Sequence, residues 1–83
     1  MRLARTFGIN VRRLRKARGL SQEALADAVR LAPTYVGQIE RGQRNPTLEV
    51  VEKFSRILKV DPLALLTSVE TDLVISKDRG KRN

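Results

Sequence analysis

The chain has 83 residues, room for one domain, and a domain of that size buries only about 60% of its unfolded surface. It contains no Cys and no His. Disulfides, thiolate and imidazole metal sites, thiol nucleophiles and Ser-His-Asp triads are therefore excluded, and no enzyme, metal or cofactor is expected. Seventeen Lys and Arg against nine Asp and Glu give a net charge of +8, which marks a nucleic-acid candidate against the plainer reading of a generic positive surface.

Gly19, Pro33, Gly42, Pro46 and Pro62 cut the chain into short pieces. In the first, residues 3–18, Leu3, Phe7, Val11 and Leu14 recur at helical spacing, and Gly19 supplies a left-handed closing residue. The second helix opens at Ser21, a good N-cap, with Glu23 in its first turn. Leu25, Ala26 and Val29 form its narrow apolar face, and it ends near Val29 or Arg30. A third helix begins near Pro33, where a missing N–H costs nothing. Val36 and Ile39 face inward on it, with Thr34, Gln38 and Arg41 toward the other side.

Residues 43–46 read as a loop. Thr47 caps a fourth helix with a stripe of Leu48, Val51, Phe54 or Ser55, and Leu58. Asp61 and Pro62 open a short fifth helix carrying Leu63, Leu65 and Leu66. Beyond it, Val69, Leu73, Val74 and Ile75 fit either a helical extension or a strand. Five helices thus fill residues 1–69, an all-α domain, and residues 70–83 form a tail. The tail is expected to frame the dimer at most, then to fray.

The longest apolar run is Leu63-Ala64-Leu65-Leu66, far short of the roughly 20 residues that span a bilayer. The basic N-terminus is not followed by the apolar core of a signal peptide. A basic amphipathic segment on a membrane surface is a rival reading, but each apolar stripe has another to pack on. No membrane partner is expected, and the lack of Cys fits a reducing, cytoplasmic compartment.

Residues 21–29 and 33–41, two short helices around a tight turn, have the spacing of a helix-turn-helix, whose second helix enters the DNA major groove. The plainer reading is a pair of packed helices in a small domain. Two strings decide between them. Arg12-Arg13-Leu14-Arg15-Lys16-Ala17-Arg18-Gly19-Leu20-Ser21-Gln22-Glu23-Ala24-Leu25-Ala26 resembles the opening of the phage-repressor/Cro-like (XRE-type) DNA-binding domains. Tyr35-Val36-Gly37-Gln38-Ile39-Glu40-Arg41-Gly42-Gln43-Arg44-Asn45-Pro46-Thr47-Leu48 resembles that family's recognition helix and following loop. The resemblance covers residues 7–66. It implies a compact five-helix, lambda-repressor-like fold, a homodimer on double-stranded DNA and a transcriptional role.

The resemblance also implies site residues. Gln22, at the start of the second helix, matches a phosphate-holding position, and a helix N-terminus does attract anions. Thr34 and Gln38 match positions facing base edges. Gln can pair with adenine N6 and N7, and Thr offers a hydroxyl and a methyl. Pro33 occupies another reading position but can supply only apolar contact. Arg41 is placed to reach guanine or phosphate. Arg44 and Asn45 match a phosphate clamp, and Tyr35 a structural residue that also touches phosphate. Arg12 and Arg13, with Arg15 and Lys16, are further backbone contacts, although Arg15 and Lys16 also fit a solvated face. Glu40, which DNA would repel, is expected in a structural bond or ion pair.

Charge distribution agrees with this division. Residues 1–20 carry seven bases and no acid; residues 21–66 carry six of each. Most of the excess therefore lies on the first helix, beside a nearly neutral reading unit.

Four positions depart from the family pattern. Arg30 and Lys59 stand where Gly is usual, so each must accept a left-handed conformation or reshape its turn. Ala32 removes a cap that contributes about 1 kcal/mol. Gly37 costs roughly 1 kcal/mol inside a helix and suggests close approach to DNA or to the second helix.

Dimerisation is assigned to the fifth helix through Leu63, Leu65, Leu66 and Val69, with Leu63 and Leu66 fitting the monomer core equally well. Within the family, Pro33-Thr34-Tyr35-Val36 echoes a run of restriction-modification controllers, which favours a controller. A phage Cro-like repressor and an antitoxin that binds a toxin protein remain alternatives. No small-molecule ligand is expected.

Overall fold

The computed structural model describes residues 2–68. These form α1 (Leu3–Ala17), α2 (Gln22–Val29), α3 (Pro33–Glu40), α4 (Leu48–Leu58) and α5 (Pro62–Leu66), with no strand among them. Val69, the apolar residues 73–75 and the basic tail lie outside the described residues.

The helix starts follow the sequence closely. Ser21 Oγ accepts from the Ala24 amide at 3.0 Å, Thr47 Oγ1 from Val50 at 3.1 Å, and Asp61 Oδ1 from Leu63 at 2.8 Å. Each satisfies an amide that the helix itself leaves unpaired. Ala32 makes no side-chain cap, and Pro33 begins α3 with its φ already helical.

The ends of α1 to α4 share one device. After α1 the Leu20 amide returns to the Arg15 carbonyl and Gly19 to Lys16. The same pattern follows α2 through Leu31 and Arg30, and α3 through Gln43 and Gly42. It requires a left-handed residue just past each helix. Gly19 and Gly42 take it at φ 70° and 74°, and Arg30 does so at 61° despite its Cβ. Lys59 does likewise at 58°, with the Val60 amide bonded back to Ser55. Arg30 and Lys59 therefore accept the left-handed conformation, each at a cost on the order of 1 kcal/mol, and both turns keep their shape.

All five helices contribute to one core: Phe7 and Val11; Leu25, Ala26 and Val29; Val36 and Ile39; Val51, Phe54 and Leu58; and Leu65. Phe7 and Phe54 meet edge to face with centroids 5.6 Å apart, a favoured aromatic geometry. The predicted stripes overreach at their outer ends. Leu3 is 63% exposed and Leu48 80%; each sits in the first turn of its helix, at the rim of the core and not within it.

Two residues of α1 that the sequence reading passed over set how it packs. At Gly8 a Cβ would collide with the Ile39 carbonyl oxygen, so backbone meets backbone where α1 meets α3. Asn10 is buried, and its Nδ2 donates to the Leu65 and Thr67 carbonyls at 2.9 and 3.0 Å. That ties the end of α5, whose carbonyls a five-residue helix cannot satisfy, to α1.

Leu65 itself requires a correction. Expected at a dimer interface, it has no exposed surface and belongs to the core. Leu63 is 70% exposed, and Leu66 is half-buried beside Leu3, Leu48 and Pro46 in a shallow apolar groove. Among the described residues, no helix is long and apolar enough to cross a membrane.

Candidate nucleic-acid interface

The start of α2 and the outer face of α3 are fixed relative to each other by a buried polar cluster. Glu40, in the last turn of α3, accepts from Arg15 twice: Nε to Oε2 at 2.6 Å and Nη2 to Oε1 at 3.1 Å. Arg15 Nη1 donates to the Leu20 carbonyl at 2.8 Å, and Gln22 Nε2 donates to Glu40 Oε1 at 3.0 Å. One carboxylate thus joins α1, α2 and α3. The two charged side chains are only 10% and 2% exposed, and no buried side-chain polar atom among the described residues lacks a partner. The hydrogen bond to Glu40, partly opposed by burial, raises the Arg15 guanidinium above its ordinary value, so it stays charged throughout.

Glu40 is therefore the structural partner expected of it. Arg15, placed among the DNA-backbone contacts or on a solvated face, is instead buried and occupied by Glu40. A signal for this was present. Positions 7, 11 and 15 recur every fourth residue along the inward side of α1, and 36 and 40 do so on α3.

Gln22 lies at the N-terminus of α2, half-buried, with one of its donors committed to Glu40. Gly37 lies beside it. A Cβ there would lie 3.3 Å from Arg41 Nη1 and 3.7 Å from Gln22 Oε1. The two expected DNA-facing side chains converge over that glycine, so the close approach is to α2.

On the outer side of α3, Pro33 and Thr34 are exposed at its N-terminus, with Gln38 one turn further on. Arg44, from the loop after α3, donates Nε to Gln38 Oε1 at 2.8 Å. Its guanidinium lies over the Tyr35 ring, 5.2 Å from the centroid. Three residues assigned separate roles by sequence thus form one unit. Arg41 Nε donates to Gln43 Oε1 at 3.3 Å, and Asn45 is exposed beside the loop. Arg12 and Arg13 are exposed on α1, with Arg13 Nη2 3.3 Å from Asn10 Oδ1. Among the described residues no hydrogen bond or ion pair joins these two to the α3 group.

The near-neutral count for residues 21–66 also hides a local asymmetry. Arg30, Lys53 and Arg56 surround a cavity of about 260 Å³ between α2 and α4, floored by Ala28, Val29 and Ile57. Arg30 lies 23 residues before Lys53 and 26 before Arg56, so charge counting along the chain could not bring it to them.

The comparisons with known proteins agree with this geometry. Residues 11–65 match the helix-turn-helix family model HTH_3. Control protein C.BamHI of Bacillus amyloliquefaciens is 46% identical over 61 residues, 72% of this chain and 75% of that protein. The restriction-modification controller protein C.AhdI of Aeromonas hydrophila has a similar structure, with a TM-score of 0.71 and 45% identity over 75% of this chain and 94% of that one. A further similar structure is the controller C.Esp1396I, solved as a tetramer with its natural 35-base-pair operator (TM-score 0.69, 29% identity, 78% of this chain and 86% of that one). The chain belongs to the HTH_3 (XRE-type) helix-turn-helix family, a family of DNA-binding transcription regulators and not of enzymes.

Proposed function

We propose that this chain is a sequence-specific transcriptional regulator of the restriction-modification controller type, acting as a homodimer on an inverted-repeat operator. The observation that carries the reading is the buried Glu40 cluster. It locks α2 and α3 into one rigid unit whose outer face carries Thr34 and Gln38, with Arg44 alongside. A helix held this way can enter the major groove of about 12 Å width with little ordering cost, while basic residues around it supply affinity. Similarity to two controllers at 46% and 45% identity supports the finer assignment.

In this reading Thr34 and Gln38 meet base edges, and Pro33 packs on the groove. Gln22, Tyr35, Arg44 and Asn45 hold backbone phosphates on the same side. Arg41 is within reach of either, and Arg12 and Arg13 extend the phosphate contacts along α1. The dimer surface is built from Leu63 and Leu66, three apart on one face of α5, and continues into the apolar groove toward Leu3 and Leu48. Two-fold symmetry then sets half-sites about 34 Å apart.

Selection of bound duplexes from a random pool tests this directly. The expected product is an inverted repeat with half-sites one helical turn apart. Recovery of unrelated sequences, bound with equal strength, would overturn the proposal.

A further inference from the structure

We propose that Arg44 is a positioning residue for base reading, and not only a phosphate clamp: it fixes the amide of Gln38 while holding the DNA backbone. The inference rests on the DNA-reading function proposed above and deepens it. Its basis is the bond from Arg44 Nε to Gln38 Oε1 at 2.8 Å, together with the stacking of the same guanidinium over Tyr35 at 5.2 Å.

A glutamine on a helix surface is an ambiguous reader. Its amide can rotate to present either a carbonyl acceptor or an NH2 donor, and these match different base edges. In this chain the ambiguity is removed. The Gln38 carbonyl is taken by a charged donor, a stronger bond than a neutral one. Nε2 is left without a protein partner among the described residues. With Oε1 turned to Arg44 and keeping only one lone pair, the group best placed to meet a base is the Nε2 donor, which matches an acceptor such as purine N7, guanine O6 or thymine O4.

Arginine is suited to this double task. A guanidinium carries five N–H groups in a rigid plane, so Nε can hold Gln38 while both Nη groups remain for a phosphate. Tyr35 supports that plane from one face. Lysine has a single nitrogen on a flexible stem and stacks less well on a ring. Facing DNA, its ammonium would go to the charged phosphate and release the glutamine.

Arg44→Lys therefore separates the two roles, read by fluorescence anisotropy on the selected operator and on random duplex. Binding to random DNA should weaken as well, since Arg44 also holds phosphate, but its salt dependence should keep its slope, since the charge is retained. The operator-to-random ratio should fall roughly fivefold or more. In a Gln38→Ala background the same change should have no further effect on the ratio, because the residue it positions is gone. If Arg44→Lys keeps the full ratio while Gln38→Ala loses it, Gln38 reads unaided and the proposal is wrong. If Gln38→Ala also keeps the ratio, Gln38 is not a reader and the proposal falls with that role. A wild-type protein showing no preference for any duplex would instead overturn the function proposed above.

Discussion

Two arginines grip α3 from different sides. Arg15 reaches it from α1 and meets Glu40 where both side chains are almost wholly out of solvent. Arg44 reaches it from the following loop and meets Gln38 at the surface. The bond lengths are similar, 2.6 and 2.8 Å, but the surroundings give them different work. Breaking the buried pair leaves an uncompensated charge in a low-dielectric interior. Breaking the exposed one hands both partners to water or to DNA. The inner pair therefore fixes where α3 sits, and the outer pair fixes how Gln38 is presented at the surface.

The largest expected effect breaks the inner pair. Glu40→Ala strands Arg15 and frees Gln22, and should cost about 3–5 kcal/mol in urea denaturation, as removal of one partner from a buried pair does. A loss under about 1 kcal/mol would show that water already reaches the cluster and would dissolve the contrast.

The same inside–outside division within α5 comes next. Leu65→Ala should cost about 2–5 kcal/mol by leaving a cavity in the core. Leu63→Glu, on the exposed side, should leave stability within about 0.5 kcal/mol per monomer while shifting sedimentation toward monomers. Dimers that persist unchanged would move the interface off α5.

Smaller effects are expected at two glycines that look alike in sequence, each in the middle of a helix. Gly8→Ala drives a methyl into the Ile39 carbonyl, and should cost about 1–3 kcal/mol as overpacking against backbone. Gly37→Ala meets only the flexible end of Arg41 and the Gln22 amide, and should raise stability by up to about 1 kcal/mol through helix propensity. Equal effects at the two sites in thermal melts would refute the packing account.

These contrasts show what was legible in the sequence. Helix ends were readable because caps and closing glycines act locally: Ser21, Thr47 and Asp61 bond amides two or three residues away. The helix-turn-helix was readable from two motifs in order, and Glu40 as a structural residue from the repulsion that DNA would impose. Partners distant in sequence were less accessible. Arg15 lies 25 residues from Glu40, and Asn10 lies 55 from Leu65. Arg15 reads as a surface or phosphate-contacting base because its carboxylate partner lies on another helix, and Asn10 carries no local signal without the end of α5 beside it. Leu65 failed for a related reason. A five-residue helix with three leucines has too little length for spacing to tell which face the core claims, and the bonds from Asn10 settle it. The Arg44–Gln38–Tyr35 unit was named residue by residue, yet its internal bonds depend on the loop path after Gly42.

The central claim is that the outer face of α3 reads DNA while its inner face holds the fold. The most direct test is the operator-to-random binding ratio of Gln38→Ala, measured on a protein whose melting temperature matches the wild type. The account predicts a fall of about tenfold in that ratio, with random-duplex binding nearly unchanged. An equal loss on both duplexes, or none on either, would contradict it.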